Sequence, residues 1–323
     1  MKYTELGSTG IKVSRICVGG MSFGERSEDF HMWTLDQKAT TEILSHCFDN
    51  GINFIDTANG YSHGTSERFI GNAIKELGID REDVVLASKV YYNEGKLSRK
   101  AILREIDGTL ERLGTDYLDL YQIHRFDYGT PILETMEALN ELVESGKVRA
   151  IGASAMYGYQ FHNMQVIADE NGLTRFSTMQ NHYNLIYRED ERELIPICEQ
   201  YGVSRIPYSP LAGGHLAHSG WSTGSERSRT DRVLRDKYDA SKDNDLEVIG
   251  RVEELSKRYG VPMSQIALAW HFRKGVAAPI VGGTKVSHLD DAIASVELDL
   301  KDDDVRYLEE PYVPHPVVGA LSA

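Results

Sequence analysis

Residues 83–124 read DVVLASKVYYNEGKLSRKAILREIDGTLERLGTDYLDLYQIH, and the reading of this stretch decides the fold. Its first run, DVVLASKV (83–90), is rich in β-branched and apolar residues, as a buried strand requires. The segment SRKAILREIDGTLERLG then opens on a capping serine, Ser98, and closes on Gly114. Leu103, Ile106, Leu110 and Leu113 recur at helical spacing and give it one apolar face. The last run, DYLDLYQIH (116–124), is again strand-like. Strand, helix and strand in this order predict two parallel strands joined by a right-handed crossover.

The same unit repeats outward in both directions. The β-rich runs are RICVGG (15–20), NFIDTA (53–58), DVVLASKV, DYLDLYQIH, VRAIGAS (148–154), STMQNHYN (177–184), GVSRIPYSP (202–210) and AAPIVGG (277–283). Amphipathic segments such as SERFIGNAIKEL and PILETMEALNELVESGK lie between them. Eight parallel strands are the number that closes a (β/α)8 TIM barrel, and residues 1–323 are expected to form one such domain. The competing fold is an open doubly wound sheet. When it binds a dinucleotide, that sheet commonly carries a GxGxxG turn after its first strand, and VGGMSFG here does not match. Residues 1–13 read as a hairpin turning at Ser8-Thr9-Gly10, placed to plug the barrel floor. The long segment after the seventh strand, 212–245, is glycine-, serine- and charge-rich, and reads equally as a solvated excursion or as a lid over the mouth.

Charge and cysteine use narrow the function classes. The 35 basic and 49 acidic side chains give a net charge of −14, which argues against nucleic acid or an anionic membrane as the main partner. Cys17, Cys47 and Cys198 are odd in number and in no metal-ligand spacing, so all three read as core thiols of a reducing compartment. The N-terminal stretch has no apolar h-region, and no run is long enough to cross a bilayer, so a cytoplasmic location is expected. No paired histidines stand in a ligand spacing, and no metal is expected.

Polar residues at strand ends carry the chemistry. Asp56 ends the second strand, Lys89 the third and His124 the fourth, so all three would face one mouth. Each alone has a bland reading, as a helix cap, a solvated lysine or a satisfied core histidine. A lysine inside VVLASKV is harder to set aside, because a buried ammonium needs a partner. Asp56 is that partner, and an Asp–Lys pair beside the Tyr61 hydroxyl is expected to lower the phenol from about 10 toward neutrality. Tyr61 then reads as a general acid.

These runs, DTANGY with GTSE, then SKV, LYQIH, GAS, QNHYN, PYSPLAGG and PIVGGTK, in this order and spacing resemble the aldo-keto reductase superfamily over nearly the whole chain. The resemblance is greatest to bacterial members often labelled 1-deoxyxylulose-5-phosphate-synthase-like oxidoreductases. It implies a catalytic tetrad of Asp56, Tyr61, Lys89 and His124. It also implies an NADPH cofactor and a small-molecule carbonyl substrate reduced to an alcohol. Gly20 and Met21 would line the cofactor cleft, Ser154 and Gln180 would bond the nicotinamide carboxamide, and Tyr208 would stack on its ring. Ser209, Leu211 and Gly213 match the pyrophosphate loop. Gly282, Thr284, Lys285 and His288 match the 2′-phosphate site, and Asp291 the adenine.

Departures from the pattern are as informative. Ala155 stands where many members carry an asparagine, leaving Asn181 or water to compensate, and Lys285 with His288 replace an arginine fork. Arg205 interrupts the seventh strand and is expected to reach the barrel exterior. Met21, Phe23, Tyr91, Tyr92, Phe126, Tyr128 and Tyr157 follow strand ends and suggest a partly apolar pocket. Arg125, beside His124, is placed to attract an anion. The rival function is an NADP(H)-binding redox sensor with little turnover, against which the intact tetrad counts. The sequence does not speak to oligomeric state.

Overall fold

The alternation becomes a ring of parallel strands in the computed structural model, which describes residues 1–221 and 232–319. A short antiparallel hairpin comes first, β1 (Tyr3–Glu5) and β2 (Lys12–Ser14). The barrel strands follow as β3 (Cys17–Gly19), β4 (Phe54–Asp56), β5 (Val85–Val90), β6 (Leu118–Ile123), β7 (Val148–Ser154), β8 (Thr178–Gln180), β9 (Ser204–Arg205) and β10 (Ile280–Val281). Each from β4 to β9 pairs parallel with its predecessor, and β10 returns beside β3, with Ile280 opposite Cys17. Between β9 and β10 two backbone bonds close the ring, Ala277 N–H to Arg205 O and Ile280 N–H to Pro207 O, both 2.9 Å. These last strands are shorter than the sequence runs because Pro207 and Pro279 carry no N–H for the ladder.

Side chains alternate along the strands between two cores. Phe54, Ala87 and Leu120 point inward and share a cluster with Leu6 and Val13 of the hairpin, so the hairpin plugs the floor as expected. Ile55, Leu86, Tyr121 and Ile123 point outward into the larger cluster under the helices. At Gly152 a side chain is impossible, since a Cβ would lie 2.2 Å from Thr178 Oγ1 and 3.1 Å from Gln122.

The helices are α1 (Gln37–Asp49), α2 (Thr65–Leu77), α3 (Arg99–Leu113), α4 (Ile132–Glu144), α5 (Gly158–Glu170) and α6 (Leu194–Gln200), then α7 (Arg232–Tyr238), α8 (Lys242–Tyr259), α9 (Met263–Arg273), α10 (Val286–Ser295) and α11 (Asp302–Glu309). In α3, Ser98 Oγ accepts from Ala101 N–H, and Gly114 ends the helix in the left-handed region at φ 67°. Ile102 joins Ile106, Leu110 and Leu113 on its buried face, and Leu103, half-buried, packs against the same core. Arg205 points to the outside of the barrel, as expected, but is buried there under the helices: its Nη2 donates to Lys274 O at 2.6 Å, satisfying the C-terminal end of α9, and stands 3.6 Å from Glu199 of α6. All three cysteines are buried and free. Among the described residues no helix is long and apolar enough to cross a membrane.

After α11, residues 312–319 run back along the barrel. Tyr187 Oη donates to Val318 O and accepts from Val318 N–H, each at 3.0 Å. Glu189 accepts from Tyr312 Oη at 2.6 Å and from His315 N–H at 2.9 Å, and the buried His315 ring meets Asp245 at 2.9 Å.

Candidate active site

Three strand ends and one turn converge at the mouth. Lys89 is wholly buried at the end of β5 and spends its three N–H donors on Asp56 Oδ1, on Thr57 O at 2.8 Å and on Tyr61 Oη at 3.2 Å. The other oxygen of Asp56 accepts from Gln122 and Gln180, both through Nε2 at 2.9 Å. The ion pair is therefore fully hydrogen-bonded, the condition under which a buried charge pair is tolerated.

Tyr61 reaches this point from a tight turn. Ser62, His63 and Gly64 all lie at positive φ, 45°, 55° and 86°. Two non-glycine residues in succession there are strained, a cost that surrounding contacts must hold in place. Ser62 Oγ donates to Phe23 O at 3.4 Å and Thr65 Oγ1 to Ser62 O at 2.7 Å. The Tyr61 ring lies edge-on to His124 at 5.7 Å, tilted against Phe30 at 6.3 Å, with the Lys89 ammonium 4.7 Å from its centroid.

Electrostatics correct one expectation. Burial raises the Tyr61 phenol, outweighing the pull of Lys89, and Asp56 adds to the rise, so it is not lowered toward neutrality. Burial also acts to lower Lys89, but Asp56 and Tyr61 together leave its ammonium above the usual lysine value. His124 falls well below the ordinary imidazole value through burial, Lys89 and Arg125. Its Nδ1 is buried with no hydrogen-bond partner. An orphaned lone pair costs less than an orphaned N–H, so the neutral ring carries its proton on Nε2.

The remaining sequence-derived positions divide. Ser154 Oγ donates to Gln180 O at 2.9 Å, and Gln180 turns its amide nitrogen inward to Asp56 and Gln122. Ala155 occupies the left-handed region at φ 44°. Tyr208 stacks on His182 at 5.3 Å, His182 on Tyr187 at 4.1 Å, and the Lys237 ammonium stands 4.8 Å from the Tyr208 centroid. Ser209, Ala212 and Gly213 all have positive φ, at 54°, 49° and 66°, and Leu211 lies between at φ −102°. Gly20 and Met21 begin a helical turn after β3, and a Cβ on Gly282 would lie 3.5 Å from the Ser22 hydroxyl of that turn. Thr284 is partly exposed, Lys285 and His288 are exposed, and Lys285 caps the start of α10. Asp291 turns away to accept from Ser264 at 2.9 Å and Gln265 at 3.3 Å on α9. Asn181 gives its amide nitrogen to Asp190 at 2.9 Å.

The mouth differs from the sequence reading in its aromatics. Phe23 and Tyr91 belong to the core, whereas Tyr92 and Tyr128 are exposed. Phe30, from the loop before α1, touches Tyr61 and was not foreseen; nothing in its local pattern marks it. Gln122 was also missed, although its place two residues before His124 on a buried strand puts it on the inner face. The long segment after β9 is partly outside the described residues, at 222–231. Of the described part, the buried Tyr238 bonds His182 at 2.7 Å and Asn184 at 3.1 Å, beside the stack that Tyr208 makes on His182.

Comparison with known proteins agrees with this geometry. Residues 15–312 match the model of the aldo/keto reductase family. The versiconal hemiacetal acetate reductase of Aspergillus parasiticus is 42% identical, over 98% of this chain and 98% of its own. A putative aryl-alcohol dehydrogenase of Schizosaccharomyces pombe is 42% identical over 99% and 98%. One from Saccharomyces cerevisiae is 38% identical over 97% and 98%. With a barrel ring, a buried Asp–Lys–Tyr cluster and these relatives along its whole described length, the chain belongs to the aldo/keto reductase family.

Proposed function

We propose that the protein is an NADPH-dependent reductase of aldehydes and ketones, with aromatic aldehydes as its substrate class. The observation that carries this reading is the Lys89 hydrogen bond to Tyr61 Oη at 3.2 Å beside a neutral His124. The residues present fit a dinucleotide phosphate. The backbone turns from the right-handed region at Leu211 into the left-handed region at Ala212 and Gly213, a tight small-residue turn whose Ala212 and Gly214 N–H groups bond Ser209 O and Leu211 O. Such a turn would let a phosphate approach the main chain at Gly213. The start of α10, with Lys285 and Thr284, suits a phosphate monoester. Gly282, Gly20, Met21, Ser209 and Tyr208 line the path between these ends in the proposed pose, with Ser154 and Gln180 near the ring and His288 near the phosphate. Asp291, committed to α9, holds that helix pair rather than the adenine.

When bound, the reduced nicotinamide supplies the hydride for the carbonyl carbon. His124 donates from Nε2 to the carbonyl oxygen and fixes its position. Tyr61 delivers its proton to that oxygen as negative charge develops there. Lys89 then stabilises the phenolate left on Tyr61, and Asp56, held by Gln122 and Gln180, keeps Lys89 charged and aimed. The raised resting phenol keeps its proton until the substrate oxygen needs it. The aromatic character of the mouth and the relatives named aryl-alcohol dehydrogenases support the substrate class.

The test is reduced-cofactor consumption, followed by absorbance, with 4-nitrobenzaldehyde for wild type and Tyr61→Phe. Loss of the acid is expected to slow turnover by about 10²–10⁴-fold, with NADPH still quenching protein fluorescence. A wild type that binds NADPH and turns over no carbonyl would instead favour the redox-sensing module.

A further inference from the structure

Arg125 follows His124 and is the mouth's unpaired cation. Among the described residues no carboxylate lies within ion-pair distance of it, although acidic side chains outnumber basic ones in the chain. Its Nε donates to Tyr92 Oη at 3.1 Å, and Tyr92 sits edge-on to the His124 ring at 5.0 Å. The guanidinium is thereby held beside the imidazole that would bind the carbonyl oxygen. Its charge acts on His124 and also on His182 and Tyr208, so it lies near the aromatic stack as well as the tetrad. One of its nitrogens, Nη1, is buried and has no acceptor.

A buried guanidinium N–H left without an acceptor is costly, and water or a ligand normally supplies one. Most buried or half-buried arginines here are satisfied: Arg81 by Asp119, Arg112 by Glu67 and Arg188 by Glu191. Arg125 alone among these faces the mouth with donors to spare. The net negative chain repels anions in general, so a fixed cation at the mouth acts against that background. The neighbouring Tyr92 and the Phe126–Tyr128 pair, with rings 5.0 Å apart, offer faces for an aromatic body.

We propose that Arg125 is a specificity-determining residue which selects aromatic carbonyl substrates bearing a carboxylate or other oxyanion, the anion accepting from the guanidinium donors that Tyr92 leaves free. The proposal rests on the reductase reading above. The aldehyde end would meet His124 and Tyr61 while the anion on the far side of the ring meets Arg125. A planar guanidinium suits a carboxylate better than an ammonium would, because two parallel N–H donors fix its orientation.

The experiment compares 4-carboxybenzaldehyde with 4-nitrobenzaldehyde, which match in shape and differ in charge. Wild type, Arg125→Gln and Arg125→Lys are assayed for kcat and KM, with NADPH binding measured by fluorescence quenching. Wild type is expected to favour the carboxylate by about tenfold or more in kcat/KM, the range of one charge-assisted hydrogen bond. Arg125→Gln is expected to erase that ratio through KM rather than kcat, and Arg125→Lys to restore part of it. Equal use of both aldehydes by wild type, or an unchanged ratio in Arg125→Gln, overturns this proposal and leaves the reductase reading standing. A wild type that binds NADPH but reduces neither aldehyde overturns both.

Discussion

Asp190 shows how one side chain can be misread from its neighbours in sequence. It sits in the run EDERE (189–193), which reads as a solvated acidic face, yet burial pushes its carboxyl up to about 7. Asn181 offsets this with one hydrogen bond, while Glu189 and Glu193 add to the rise. An acid raised in the folded state binds a proton that the unfolded chain has lost above about pH 4. Stability therefore declines as pH climbs from about 4 through 7 and the penalty persists above it. Asp190→Asn removes the slope, so the melting-temperature gain over wild type should be larger at pH 8 than at pH 5. An equal gain at both would mean the carboxyl is ionised throughout. That Asp56, Lys89 and His124 meet at one mouth was legible because a strand end in a repeating barrel has one destination, and Tyr61 because it lies in the loop that leaves one of those ends. Asp190 was not, since an acidic run gives no sign of the burial that raises it, and the bond of Gln122 to Asp56 was not, since its partner lies on another strand far away in the chain.

The turn at 61–64 belongs to the scale of the element. Its left-handed serine and histidine hold Tyr61 over Lys89, and the His63 side chain contributes an exposed contact to Asp29 at 3.1 Å and an edge-on approach to the Phe30 ring at 6.4 Å. A glycine has no Cβ to strain in that region, so His63→Gly is expected to stabilise the fold by up to about 1 kcal/mol. The same change frees the turn, and turnover with an aromatic aldehyde should fall while the melting temperature rises. A variant that gains both would show that the strain does not position Tyr61. Helix ends were the easiest elements to foresee, since Ser98 and Gly114 act on their own neighbours. Strand lengths were harder: GVSRIPYSP and AAPIVGG contribute only Ser204–Arg205 and Ile280–Val281, because proline withholds donors where apolar composition promised a ladder.

Across the whole molecule the ring has one weak join. Counting eight runs foretold closure, but not that β9 and β10 would meet through only the bonds at Ala277 and Ile280. The broad pairing of β5 with β6, from Ala87 opposite Leu120 to Val90 opposite Ile123, stands against that seam. Native-state hydrogen exchange should find the Ala277 and Ile280 amides opening at lower free energy than those of β5 and β6. Uniform protection would mean the barrel opens only as a unit. The outer edge of β3 is covered by Ile280 and Val281, which belong to the last strand of the ring. During synthesis that edge must wait, bare and apolar, until β4 to β9 have all been made, and bare strand edges recruit other chains. The nascent protein is thus expected to recruit other chains through that edge until β10 has emerged and paired with β3.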